Sequence, residues 1–190
     1  MKYCISVLLI AFTSFSAFSQ GTGLSATISY PITVGDNFLN EYTGFVDVGV
    51  QYRFWDLNVV NLGISINASF VGIPNPENEG EEFRGMLIHP TLFGEFPLGR
   101  NGEFKPIAGI GYGANRFVST RNDDGFGDVT FKSTWEGIVL TAGASYDISQ
   151  RFFVVALFDW AEINRSTITV SDDAFDNRGN IIKIGLGYRF

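Results

Sequence analysis

The chain of 190 residues has one cysteine, Cys4, and it lies in a stretch that is expected to be removed. Lys2, the apolar run from Ile5 to Phe12 and the small and polar residues Ser14, Ser16, Ala17 and Ser19 read as a secretory leader. Ala17-Phe18-Ser19 fits a small-x-small cleavage pattern, so residues 1–19 are expected to be a signal peptide and 20–190 the mature domain. A mature chain without cysteine has no disulfide, no thiol chemistry and no thiolate metal site. Long apolar runs are also missing: none approaches the roughly 20 residues that a membrane-crossing helix needs. Basic residues are scarce. The formal charge of −7 becomes −8 once Lys2 is lost, which argues against nucleic acid as a partner. No linker, low-complexity tract or repeat of fixed period stands out, so the length fits one domain.

What the chain does have is glycine (22) and phenylalanine (19), a composition suited to an exported β-protein. Eight segments alternate at period two: roughly 24–34, 44–54, 60–70, 86–96, 104–115, 136–146, 152–162 and 181–190. Each is about the 9–11 residues that cross a bilayer as a tilted strand. Even-numbered positions are apolar throughout, as in Ile28, Tyr30 and Ile32, or Val46, Val48, Val50 and Tyr52, or Ile182, Ile184, Leu186 and Tyr188. Odd-numbered positions are small and polar with scattered ions: Ser25, Thr27, Asp47, Gln51, Arg53, His89, Glu95, Lys105, Asp159, Lys183, Arg189. Successive strand side chains point to opposite faces, so each strand has one greasy and one polar face. Alternation alone fits both a soluble sandwich and a membrane barrel. The polar face, however, is Ser, Thr, Gly and Asn rather than the Lys and Glu of a soluble exterior, and suits a cramped, hydrated lumen.

The connections alternate as well. Short ones fall at 55–58, 97–103 and 147–151, long ones at 35–43, 71–85, 116–135 and 163–180, as expected for periplasmic turns and outer loops. Phe54, Phe96, Phe104, Tyr146, Phe152, Tyr188 and Phe190 gather on the apolar face beside the short turns, with Phe70, Tyr112 and Trp160 near the opposite rim. Two aromatic girdles around an apolar band are an outer-membrane feature. Pro31, Pro90 and Pro106 each remove a ladder donor, so local bulges are expected there.

The pattern, together with the terminal Gly-Tyr-Arg-Phe, resembles the small eight-stranded outer-membrane barrels of the OmpA/OmpX type. The fold expected is all-β: an eight-stranded antiparallel up-and-down transmembrane β-barrel in the outer membrane of a Gram-negative bacterium. The resemblance implies that Tyr188 and Phe190 form a C-terminal signal read by the barrel assembly machinery, and that the lipid partners are outer-membrane lipid and lipopolysaccharide. Unlike full-length OmpA, no peptidoglycan-binding domain is expected after the barrel.

Asp47, Gln51, Arg53, His89, Glu95, Lys105, Asp159, Lys183 and Arg189 are expected to form a polar and ionic lumen network. Within it Glu95 and Lys105 would pair across strands four and five, Arg53 and Arg189 would extend that group, and Asp159 would meet Lys183. His89, Thr91 and Glu95 share a face, and a lipid A deacylase of barrel fold uses a His-x-Ser pair with an acidic partner. Here the nucleophile position holds Thr, and Glu95 lies about 20 Å from His89 at roughly 3.3 Å per residue, so no catalytic site is expected. Gly109-x-Gly111-x-Gly113 alternates within a strand and opens no helix, which fails the context for phosphate binding and points to room for lumen residues such as Phe93. The loop Asn122–Asp128 has oxygen ligands without EF-hand spacing, and Glu77, Glu79, Glu81, Glu82, Asp172, Asp173 and Asp176 make the outer loops acidic. These read first as solvated loops, with weak divalent-cation binding, or cation bridging to lipopolysaccharide, as the sharper alternative; no metal site or cofactor is expected. Function remains open between a structural or surface-interaction module, binding an extracellular protein or glycan through loops 116–135 and 163–180, and a narrow porin-like channel for small solutes. An enzyme is the third class. Phe117, Phe126, Phe131, Trp135 and Phe175 are the aromatic residues expected on those loops.

Overall fold

A computed structural model describes residues 23–35, 37, 39–73, 82–123, 127–164 and 178–190. Eight strands follow in order: β1 Leu24–Thr33, β2 Thr43–Asp56, β3 Asn61–Gly72, β4 Glu82–Glu95, β5 Phe104–Asp123, β6 Gly127–Asp147, β7 Phe152–Asn164 and β8 Arg178–Arg189. Each pairs antiparallel with its chain neighbours, and β8 returns to β1 to close the barrel. The closing ladder runs from Ser25↔Arg189 to Thr33↔Ile181, and the Phe190 amide adds a 3.1 Å bond to the Leu24 carbonyl. Closure leaves no strand edge within the barrel wall, which in hydrocarbon is the condition for satisfying every backbone group.

Burial is inverted relative to a soluble fold. Ile28, Ile66 and Ile110 are 59%, 57% and 55% exposed on the outside, whereas Asp47, His89 and Lys183 are 0%, 2% and 2% exposed inside. A soluble sandwich would not leave isoleucines in water around a core of ions, so the alternation is resolved in favour of a membrane barrel.

Two sequence expectations are corrected. The prolines sit in unshifted register: Pro31 pairs with Lys183, Pro90 with Ile66 and Pro106 with Ala144. A strand residue directs its N–H and C=O to one neighbour only, so a proline costs a ladder at most one side. The β1–β2 ladder stops at Ser29↔Asp47, before Pro31, and the β4–β5 ladder skips the pairs around Pro90 without a shift. Pro106 lies at the end of its ladder, where its carbonyl still accepts from the Phe96 amide at 2.9 Å. The register shifts fall on β2, between Gly44 and Val46, facing Pro31 on the neighbouring strand, and between Arg53 and Trp55. The extra residues turn Phe45 and, together, Phe54 and Trp55 to the outside.

The second correction concerns residues 116–135. They are strand rather than loop: β5 and β6 stay paired up to Asp123↔Gly127. β4 accompanies β5 as far as Glu82↔Thr120, while β6 meets β7 only from Glu136↔Asn164. A β5–β6 hairpin thus projects past the barrel. At the opposite end the turns are short. The Asp56 carboxylate accepts the Asn58 amide at 2.8 Å, and Asn58 takes φ 65°, a left-handed conformation asparagine tolerates.

Candidate functional site: the layered lumen

Eight strands leave an interior just wide enough for side chains to fill. Here they fill it in layers. At the short-turn end Arg53 of β2 forks onto Glu95 of β4, with Nε to Oε2 at 2.6 Å and an η nitrogen to Oε1 at 3.0 Å. The strand between them places Gly63 opposite Arg53, so no side chain separates the two groups. Arg53 also donates to Ser25 Oγ and Gln51 Oε1 at 2.9 and 3.2 Å, and Ser145 Oγ donates to Glu95 at 3.3 Å. The expected Glu95–Lys105 pair is not formed. Register sets Glu95 opposite Ile107, which leaves Lys105 closer to the turn, where Nζ meets Asp147 at 2.5 Å. Arg189 reaches the other Asp147 oxygen at 2.5 Å, lies 3.9 Å from Glu95 and stacks 4.3 Å over the Phe153 ring.

Above this floor Phe93, Ile107, Phe153, Val155 and Leu157 form an apolar layer. Two glycines make space for its rings: a Cβ on Gly63 would lie 2.5 Å from Phe93, and one on Gly187 would lie 2.0 Å from Phe153. Along the Gly109, Gly111 and Gly113 run the side chains nearest an added Cβ belong to Thr91, Val139 and His89, with the Phe93 Cβ near Gly109. The next layer is ionic. Lys183 Nζ lies 2.8 Å from Asp159 and 3.2 Å from Asp47. Asn67 and Ser69 donate to Asp47 at 3.1 and 2.6 Å, and Thr141 to Asp159 at 2.7 Å. His89 contacts Asp159 through Nδ1 at 3.1 Å and Asn115 through Nε2 at 3.2 Å. Beside this layer a cavity lined by Gln51, Ser65, Asn67, His89 and Thr91 among others has room for about one water molecule.

The mouth is closed by a second apolar cluster, Leu39, Val71, Leu87, Phe117 and Ile181, packed against Tyr42 and Trp135. Phe117 meets Trp135 at 4.8 Å and Tyr42 edge-on at 5.5 Å between ring centroids. These two residues were expected on an exposed loop surface; odd parity carries them inward, and Phe117 is buried. Of that aromatic group Phe131 is exposed, while Phe126 and Phe175 lie outside the described residues. Leu39, buried from the β1–β2 connection, was missed. Its signal was the apolar pair Phe38-Leu39 set among Asp36, Asn37, Asn40 and Glu41.

The chemistry of the lumen is cohesion. Both His89 ring nitrogens are occupied, neither by Thr91, and Glu95 belongs to the Arg53 group, so the three make no relay. Among the described residues no group of three or more His, Cys, Asp or Glu is placed to hold a metal ion. The acidic stretches 77–81 and 172–176, residues 124–126 and the expected leader 1–19 lie outside the described residues. At the C-terminus Tyr188 and Phe190 stack edge-on at 5.2 Å, Tyr188 meets Phe152 at 5.1 Å, and Arg151 donates to the Tyr188 hydroxyl at 3.0 Å.

A family model described as outer membrane protein beta-barrel domain matches residues 5–190. Among solved structures, Neisserial surface protein A superposes with a TM-score of 0.58 at 18% identity, covering 88% of this chain and 96% of that one. Ail, the attachment invasion locus protein of Yersinia pestis, in complex with the heparin analogue sucrose octasulfate, gives 0.58 at 16% identity with the same coverages. No curated protein matches the chain.

Proposed function

The chain belongs to the outer membrane protein beta-barrel domain family, and we propose that within the outer membrane it is a sealed scaffold presenting its β5–β6 hairpin to an extracellular protein or glycan. The observation that carries this reading is the stack of floor, two inner layers and mouth, whose side chains pack across the described lumen. A channel would need the Arg53–Glu95 fork and the Phe117–Trp135 contact to part together, which favours the scaffold over the narrow-channel reading. Recognition on a rigid barrel then falls to what projects from it. The hairpin does so, with Val129 and Phe131 exposed.

The same proposal includes leader cleavage after Ser19, recognition of Tyr188 and Phe190 by the assembly machinery, and no catalytic role. In one test, residues 120–130 are replaced by a short Gly/Ser connector in refolded protein. The variant should keep its heat-modifiable gel mobility and lose binding to immobilised host-surface proteins or sulfated glycans that the parent retains. Discrete single-channel currents from the unaltered protein, with binding unaffected by the replacement, would replace the scaffold with a channel.

A further inference from the structure

The strand cations include an inward group and an outward cluster. Arg53, Lys105, Lys183 and Arg189 point inward and each meets a carboxylate. Arg84, Arg116 and Lys132 occupy even positions on β4, β5 and β6, and all three are exposed on the outward face. Register makes them neighbours: Arg84 stands opposite Val118 and Val118 opposite Lys132, while Arg116 lies one outward position along β5 from Val118. With strands about 4.8 Å apart, the three backbones fall within about 10 Å of one another.

Their height follows from the strands themselves. On β5 the outward residues from Phe104 through Pro106, Ala108, Ile110, Tyr112 and Ala114 carry no charge. Ten residues at roughly 3.3 Å each and about 40° of tilt span about 25 Å, the height of an outer-membrane apolar band. Arg116 is the next outward residue. On β4 the uncharged run from Phe96 to Met86 ends at Arg84. On β6 the run from Tyr146 to Ile138 ends at Glu136, which accepts the Tyr112 hydroxyl at 3.4 Å, and Lys132 follows two outward positions later. A tyrosine hydroxyl held by a carboxylate marks the polar boundary.

We propose that Arg84, Arg116 and Lys132 form a binding site for the phosphorylated sugar headgroup of outer-leaflet lipopolysaccharide. The site rests on the outer-membrane placement and not on what the hairpin recognises. Outward-facing side chains at this level meet the lipid headgroups beside the barrel rather than solutes above it. Arginine forks match phosphate oxygens bidentately, and lysine adds a mobile point charge. Three cations against Glu136 and Glu82, the next even position of β4, still leave the patch net positive on a chain whose formal charge is −7, so it runs against the chain's overall acidity. Arg116 and Lys132 have no carboxylate partner among the described residues.

The test uses the full mature chain in phosphatidylcholine nanodiscs with labelled lipid A bearing both phosphates. Affinity should fall about 30-fold in R116A/K132A, about fivefold for each basic residue removed from an anionic surface. Heat-modifiable mobility should be unchanged, because neither side chain packs inside the barrel. The parent should bind dephosphorylated lipid A at the level of the double variant, and R116K/K132R should restore most of the affinity. Equal lipid A binding by parent and R116A/K132A overturns the site. So does equal binding of phosphorylated and dephosphorylated lipid. If sucrose octasulfate binds the parent through these residues while lipid A does not, the occupant is a soluble polyanion and the lipid assignment is wrong.

Discussion

At the short-turn end the lumen is closed by Arg53, Glu95, Lys105, Asp147 and Arg189, all charged and all carried on strands. At the other end Tyr42, Phe117 and Trp135 close it around Leu39, which is carried on a connection. The floor is a directional lock: a fork fits one register, and losing either partner strands a charge in a water-poor interior. The mouth is held by contact area, which is indifferent to small changes of shape. One barrel therefore uses geometry where its strands converge on the termini and volume where its connections fold back.

Breaking the floor should have the largest effect. Glu95→Ala removes the acceptor for Arg53 and Ser145 and is expected to cost about 3 kcal/mol, the lower end for a broken buried pair because Arg53 and Arg189 retain some solvent contact. Equilibrium urea unfolding in lipid vesicles measures it. R53A/E95A should cost clearly less than the two single losses combined, and strict additivity would show that the fork is not a coupled unit.

The mouth should respond to volume instead. Phe117→Ala is expected to cost about 3 kcal/mol or slightly less, whereas Phe117→Leu should stay under about 1.5 kcal/mol. Arg53→Lys, a comparably conservative change, should lose most of the floor's contribution because an ammonium cannot make the fork. If Phe117→Leu is as damaging as Phe117→Ala, the mouth is as geometry-dependent as the floor and the contrast fails. Leu39→Ala, on a connection, should cost about 2 kcal/mol and add in full to the cost of Glu95→Ala, the two sites being far apart.

The smallest stability effect is expected from deleting Phe190, below about 1 kcal/mol, since its ring and its closing bond to Leu24 lie at the rim. Its consequence should appear in cells as a reduced outer-membrane level. Normal levels of the truncated chain would show that the terminal aromatics serve the rim alone.

Part of this was legible without coordinates. Period-two alternation is a local property of the chain, so the strands, their facing and the inward direction of Asp47, His89, Asp159 and Lys183 could be read residue by residue. The length of β5 and β6 was legible in principle from Val118, Thr120, Val129, Thr130 and Phe131, residues suited to strands. It was obscured because the outward face turns polar at Arg116 and Lys132 once the strands leave the apolar band.

What only the tertiary structure decided was partnership. Arg53 meets Glu95 across an intervening strand, and Lys105 passes Glu95 for Asp147, because the stagger between strands, not distance along the chain, sets which lumen side chains share a level. That stagger is complete only when β8 closes on β1. The bulges at Phe45 and Phe54, the burial of Leu39 and the neighbourhood of Arg84, Arg116 and Lys132 are likewise set by pairing and packing between strands. Alternation assigns a side chain to a face; register around a closed sheet assigns it a neighbour.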